Sequence, residues 1–254
     1  MRNVEIVSKA AVTATVDFDK LSEKELRRMA EAGHEVLNVH RVLAKTGDNV
    51  VGELLRDNGT FYEWDHYPPG DVYDSETHSQ YYYHAHPFEE RFDREHGHLH
   101  TFLRPKGMPK GIKPADVPGA KMPKDSNDKL SHLIAISMDS AGLPFRLFTT
   151  NRWVTGEVWY KADDVIAMLG YFEIDHTRPS WPVNRWITAF LQLYKPQISQ
   201  LIRARDRFVQ EWQLEHPGED VYEDRNLEVT SIMDISVEGQ IQAIGRALEK
   251  RNAA

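Results

Sequence analysis

Between His84 and His100 five of seventeen residues are histidine, and all five stand at even-numbered positions: His84, His86, His96, His98 and His100. Side chains two apart on a strand share a face and lie roughly 6.6 Å apart along it. The spacing therefore asks for extended backbone, with His84 and His86 projecting together from one segment and His96, His98 and His100 from the next. If the segments pair as a hairpin centred near Arg91, His86 faces His96 and His84 faces His98, with cross-strand neighbours roughly 5 Å apart. A register displaced by an odd number would send the two sets to opposite faces, so convergence depends on pairing parity.

Clustered neutral imidazoles offer ring nitrogens to a transition metal at about 2.0–2.2 Å and leave coordination positions for water, dioxygen or substrate. Packed imidazoles without a cation would repel one another on protonation and would need several separate hydrogen-bond partners when neutral. The chain has no cysteine, which excludes a thiol nucleophile, an iron–sulfur cluster and any thiolate zinc site. The expectation is a mononuclear centre with His84, His86, His96, His98 and His100 as candidate ligands, Fe(II) ahead of Zn or Cu. Three further residues are candidates for catalysis. Glu95 falls on the opposite face of a regular strand, as an orienter or acid/base group, although a bulge at Gly97 would reverse that placement. Tyr82 shares the histidine face and could donate a phenolic hydrogen bond. Arg152, in Thr149-Thr150-Asn151-Arg152-Trp153-Val154-Thr155-Gly156-Glu157, could clamp a substrate carboxylate or phosphate, or pair with Glu157 or another acid of this negatively charged chain.

The rest of the chain reads as an α+β domain spanning 1–254, a central antiparallel sheet with N-terminal helices, a long proline-interrupted helix and a C-terminal helix around it. Ser22 with Glu25 is a capping box, followed by Leu26, Ala30, Gly33, Leu37, His40 and Ala44 at helical spacing. A second helix is expected near 48–56, completing a helical subregion over 20–58. From Thr60 the period changes to two, predicting strands near 60–66, 79–86, 95–103, 131–138, 144–150, 153–159 and 227–235. Residues 104–130 hold prolines, glycines and lysines with little to pack, which predicts a flexible loop or lid. Ser180 caps a long helix over 180–214 that Pro196 must kink or divide.

Among the remaining polar residues, His132 begins a strand whose same-face neighbours Ile134, Ile136 and Met138 are apolar, so it is expected to point into the core. His176 reads as a surface residue. The turn-rich stretch from Asp65 to Asp74 could supply a carboxylate ligand but fits loop hydrogen bonding better. A net charge of −8 argues against a nucleic-acid partner. No apolar run approaches the roughly 20 residues that cross a bilayer, and Met1 to Ile6 show no export signal, so the chain reads as cytoplasmic. A small-molecule substrate is the expected partner, and a homo-oligomer is compatible with the sequence.

The combination of His84-Ala85-His86-Pro87, Glu95-His96-Gly97-His98-Leu99-His100-Thr101-Phe102 and Thr149 to Glu157 resembles a bacterial family described only as a domain of unknown function, from about Asp65 to the C-terminal helix. That resemblance implies no activity and assigns no catalytic residue. The segment also resembles, loosely, the first cupin motif in His84, His86, Glu90 and Gly97, but His78 stands where that motif has glycine and no second motif follows.

Overall fold

The computed structural model describes residues 4–13 and 15–253. Met1 to Asn3, read above for an export signal, lie outside the described residues. The described chain begins with α1 (Val4–Lys9), α2 (Glu23–Ala44) and α3 (Val50–Leu55), and continues through β1 (Tyr67–Tyr73), β2 (Ser79–His84), β3 (Glu95–Leu103), β4 (Ser131–Asp139) and β5 (Pro144–Thr150). Then come α4 (Arg152–Thr155), α5 (Ala162–Met168), α6 (Trp181–Leu193), α7 (Lys195–Glu215), β6 (Val229–Asp234) and α8 (Val237–Asn252). The six strands form one sheet in chain order, and every neighbouring pair is antiparallel. The fold is α+β with a central sheet. Among the described residues no helix is long and apolar enough to cross a membrane.

Alternation along the strands sorts side chains into two layers. Tyr81, Tyr83, Leu99, Ile136 and Leu147 join the main core with Leu26, Val36, Leu54, Trp186 and Phe190 of α2, α3 and α6. The capping box forms as expected: the Ser22 hydroxyl accepts from the Glu25 N–H at 3.2 Å and Glu25 accepts the Ser22 N–H at 2.8 Å. The buried stripe of α2 runs through Leu26, Met29, Ala32, Gly33, Val36, Val39 and Leu43, so Ala30, His40 and Ala44 are less central than their spacing suggested, and Leu37 is exposed. Gly33 lets α8 approach closely, since a Cβ there would sit 2.9 Å from Ile241 Cγ1. The opposite face of the sheet is covered by residues around α1 and by the β2–β3 connection, where Ala10 and Phe92 pack with Ala135, Phe148 and Ile232.

Three local expectations differ from the structure, and a fourth is met. The strand expected over 60–66 begins instead at Tyr67 and contains Pro68 and Pro69. It is an edge strand, where a missing N–H is tolerated. The strand expected over 153–159 is replaced by α4: the Asn151 side chain caps Arg152 N at 2.9 Å, and Gly156 ends the turn in the left-handed region at φ 64°. The long helix is divided at Pro196, as expected, α6 ending at Leu193 and α7 starting at Lys195 with the proline in its first turn, where no N–H is needed. Finally, residues 104–130 do pack. Met108 and Ile112 lie on the main core, while Ala115, Val117 and Ala120 join a second cluster around Trp159, Trp212 and Leu227. Arg104 ties the ends of the segment together through Asp128 at 2.6 Å.

Candidate metal centre

The β2–β3 register pairs Tyr82 with His100 and His84 with His98, so these four side chains and Phe102 share the sheet face turned away from the main core. The predicted facing of His84 and His98 is therefore present. β2 stops at His84, and the chain leaves the sheet through Ala85, His86 and Pro87 into a single 3-10 turn at Phe88–Glu90. His86 reaches the group from this connection, its carbonyl held by Arg91 Nε at 2.6 Å and its ring lying 4.3 Å from that of Trp64. Glu90, the cupin-like acid, comes no closer than 3.9 Å to His86 Nδ1.

Two irregularities in the β3–β4 ladder decide the other placements. Glu95 pairs with Asp139 and Gly97 with Met138, leaving His96 as the extra residue of a β-bulge. The bulge resets parity. His96 goes to the main-core side, where its Nδ1 lies 2.6 Å from the Tyr83 hydroxyl, and the structure does not bring it to the other histidines. Glu95 crosses the other way and lands beside His98. Glycine at 97 permits this close approach, because a Cβ would sit 2.5 Å from both the His84 carbonyl and the Tyr83 hydroxyl. In the second irregularity Thr101 pairs with Ile134 but Phe102 pairs with His132, so Leu133 is the extra residue. The Thr101 hydroxyl fills the break, donating to the Ile134 carbonyl at 2.8 Å and accepting from the Ile134 N–H at 3.2 Å. His132 thereby leaves the face of Ile134, Ile136 and Met138, which corrects the expectation that it points into the core, and joins the histidine face beside His100.

One ring nitrogen from each of His84, His86 and His98 lies within 4.8 Å of the other two, and all three residues are buried. This triad could hold a metal ion. His84 Nε2 stands 2.7 Å from His98 Nε2. Two lone pairs cannot face each other at that distance, so either a proton or a cation must lie between them. On its far side His98 Nδ1–H donates to Glu95 Oε1 at 3.1 Å, which fixes the tautomer with the Nε2 lone pair toward His84. Glu95 is itself fixed, its Oε2 accepting the Phe92 N–H at 3.1 Å. A carboxylate behind the imidazole raises its basicity as a ligand.

His100 is buried against the triad, its ring centroid 5.2 Å from that of His84 and 4.9 Å from that of His98. Its Nδ1 lies 3.0 Å from His132 Nε2. One of these two nitrogens carries the proton of that bond; where it is His100 Nδ1, His100 Nε2 carries a lone pair as His98 Nε2 does. Burial, reinforced by neighbouring histidines, holds His100 well below the usual imidazole range. Burial also brings His132 down to about 3, with Arg205 and His98 adding to the shift. Both rings therefore stay neutral at ordinary pH, the form that binds metals.

Tyr82 stacks on His66 at 3.6 Å and meets His84 edge-on at 5.4 Å, and burial, with help from Asp71, keeps its hydroxyl protonated. Arg152 directs its guanidinium to Glu223 at 2.7 Å and Asp220 at 3.9 Å rather than to the triad. Sequence reasoning took Glu157 only as a partner for Arg152; the structure buries it fully, where it accepts the His132 backbone N–H at 2.7 Å. Burial pushes its carboxyl up to about 8, against the opposing pull of Arg205 and the His132 N–H. Sequence reasoning passed over the contact of His66 with the centre, 5.7 Å from the His84 ring. A histidine outside the period-two pattern carries no spacing signal, and neither residue could have been placed without the loop geometry.

A family model described as a domain of unknown function, DUF6969, matches residues 30–235. The match starts well before Asp65 and stops just short of α8. No curated protein and no solved structure matches the chain.

Proposed function

The chain belongs to this family of unknown function, and from the geometry of its site we propose that it is a mononuclear metalloenzyme in which His84, His86 and His98 hold the ion, with His100 as a further nitrogen donor beside them. The observation that carries this reading is His98, backed by buried Glu95 on Nδ1 and presenting Nε2 to His84 at 2.7 Å. A carboxylate on Nδ1 is the partner that orients a ligating imidazole and raises its basicity, and here it turns the Nε2 lone pair of His98 toward the other rings of the triad.

The favoured ion is Fe(II) and the reaction class is oxygen-dependent oxidation of a small polar substrate. A ferrous ion would supply a redox-active centre with positions open to dioxygen and substrate. The chain's own groups do the remainder. Glu95 holds His98 in its ligating tautomer, His132 holds the His100 ring in place through Nδ1, and Tyr82 offers a protonated phenol as donor at the rim. Phe92, Phe102 and Phe148 wall the group and limit water, Phe148 lying 5.2 Å from the His98 ring. A set of three ligands leaves a coordination position for substrate, which favours an enzyme over a metal store or carrier with a closed shell. Hydrolysis by zinc is the second reading, because three neutral imidazoles with one carboxylate-backed member are also the donor set of hydrolytic zinc.

The test is metal content of protein purified without an affinity His-tag, after reconstitution with Fe(II) under anaerobic conditions, Zn(II) and Cu(II) in turn. The expected result is about one Fe(II) per chain, with oxygen uptake on exposure to small polar compounds. Zinc retention with hydrolytic turnover selects the second reading. Less than about 0.1 equivalent of every metal would end both.

A further inference from the structure

Alongside the triad, a groove of about 550 Å³ opens between Asn58 and Gly70, lined by Asn58, Thr60, Tyr62, Asp65 and His66 among others. His66 is shared between groove and centre. Its ring is held on three sides: Nδ1–H donates to Asp71 at 2.9 Å, one face stacks on Tyr82 at 3.6 Å, and an edge meets His84 at 5.7 Å. Asp71 is fixed in turn by Gln80 Nε2 at 2.6 Å, and Gln80 Oε1 accepts from Arg104 Nε at 2.7 Å. The backbone is also constrained there, because Trp64 and Asp71 adopt φ of 71° and 62°, a conformation costly for residues with a Cβ. A half-exposed imidazole held this firmly gains little from burial, and such preorganisation is what a ligand-binding side chain requires.

The lining chemistry narrows the ligand. With Nδ1–H committed to Asp71, His66 Nε2 is an acceptor, and Asp65 supplies another. Tyr62 is largely exposed and offers an aromatic face, while Thr60 and Asn58 add further polar atoms. No Lys or Arg lines the groove among the described residues, and Asp65 and Asp71 would repel an anion. We propose that this groove is a binding site for a neutral, hydroxyl-rich ring compound, whose hydroxyls donate to His66 Nε2 and Asp65 while its apolar face lies on Tyr62. That such a ligand is the substrate rests on the metalloenzyme reading above; that it binds does not.

Saturation-transfer NMR on the metal-free protein tests binding, with methyl glucoside, methyl galactoside, methyl mannoside and inositol as probes and gluconate and glucosamine as charged comparators. At least one neutral ring at about 10 mM should receive saturation, and Tyr62→Ala and His66→Ala should each weaken it about tenfold while thermal melting stays unchanged. Asp71→Asn, which retains the shape but loses the carboxylate, should weaken it in the same direction. Binding by none of the neutral rings, stronger binding by either charged comparator, or binding indifferent to both substitutions would overturn the proposal. A second measurement, relaxation of the bound ring's protons by Mn(II) loaded into the protein, tests proximity to the centre. Strong relaxation supports the substrate assignment. Binding without relaxation in a protein shown to hold Mn(II), or paramagnetic Cu(II) where Mn(II) binds too weakly, removes that assignment alone, and a protein that takes up neither ion counts against the metal centre, not the groove.

Discussion

The two faces of the sheet are built from alternate residues of the same strands, yet they do different work. On one, Tyr81, Tyr83, Leu99, Ile136 and Leu147 are sealed beneath α2, α3 and α6. On the other, Tyr82, His84, His98, His100 and His132 form a buried layer of polarisable rings walled by Phe92, Phe102 and Phe148. The apolar face derives its stability from area removed from water, whereas the histidine face is stable only while each ring nitrogen has a proton or an ion to meet. The two bulges are what separate the roles. Strict alternation would have left His96 with the histidines and Glu95 and His132 away from them. One extra residue at position 96 and one at 133 exchange those memberships.

The sharpest way to break the comparison is to truncate one residue on each face of β3. Leu99→Ala opens a cavity in the main core and should cost about 3 kcal/mol in urea unfolding, with the metal stoichiometry of the folded protein unchanged. His98→Ala should reverse the pattern, abolishing metal uptake while lowering the stability of the metal-free protein much less. Equal metal content in the two variants would mean that the histidine face is only a second core.

Much of this division was legible before any coordinates. Even spacing of the five histidines predicted a shared face and the His84–His98 pairing, because side-chain alternation is a covalent property of extended chain. The capping box at Ser22, the strands near 131–138 and 144–150 and the break near Pro196 were readable for similarly local reasons. The bulges were not. Gly97 allowed one without requiring it, and the displacement at Leu133 depends on the Thr101 hydroxyl, a partner 32 positions away in the chain. Nor did composition reveal that residues 104–130 pack: the few apolar residues among the prolines and lysines matter only because Trp159 and Trp212 are brought beneath them.

Within the histidine face, Glu95→Gln separates orientation from ligation. Glutamine can still accept from His98 Nδ1–H but carries no charge, so the triad should persist with metal affinity reduced about 10- to 100-fold. Competition against a chelator of known affinity measures the change. An affinity equal to wild type would mean that the carboxylate is a helper of folding alone, satisfying the Phe92 N–H.

Behind the same face, Glu157 makes a prediction in pH. Its folded-state value of about 8 lies above the ordinary 4.5, so between those limits the folded protein retains a proton that the unfolded chain releases. This group's contribution to stability therefore falls as pH rises from about 4.5 to about 8, and is level on either side. His132 acts oppositely on the acid side. Folded near 3 and ordinarily near 6.5, it loses stability for the fold as pH drops through that interval. Glu157→Gln retains an acceptor for the His132 N–H and should remove the alkaline decline while leaving the acid one. Denaturant midpoints measured from pH 4 to pH 9 decide this, and a Gln variant with an unaltered alkaline slope would show that Glu157 ionises without penalty.

The smallest expected effect is optical. Trp64 lies over His86 at a ring distance of 4.3 Å and is itself about half exposed, so its removal disturbs little packing. An ion bound by His86 would quench the neighbouring indole, and a redox-active ion such as Cu(II) would do so most strongly. Six tryptophans share the emission, so the loss on metal addition should be a modest fraction of the total. Trp64→Phe preserves an aromatic ring over His86 and should leave stability within about 0.5 kcal/mol of wild type. It should also remove most of the quenching without changing the stoichiometry. Quenching that survives this substitution would place the ion nearer another indole, and so on a part of the molecule other than the histidine face.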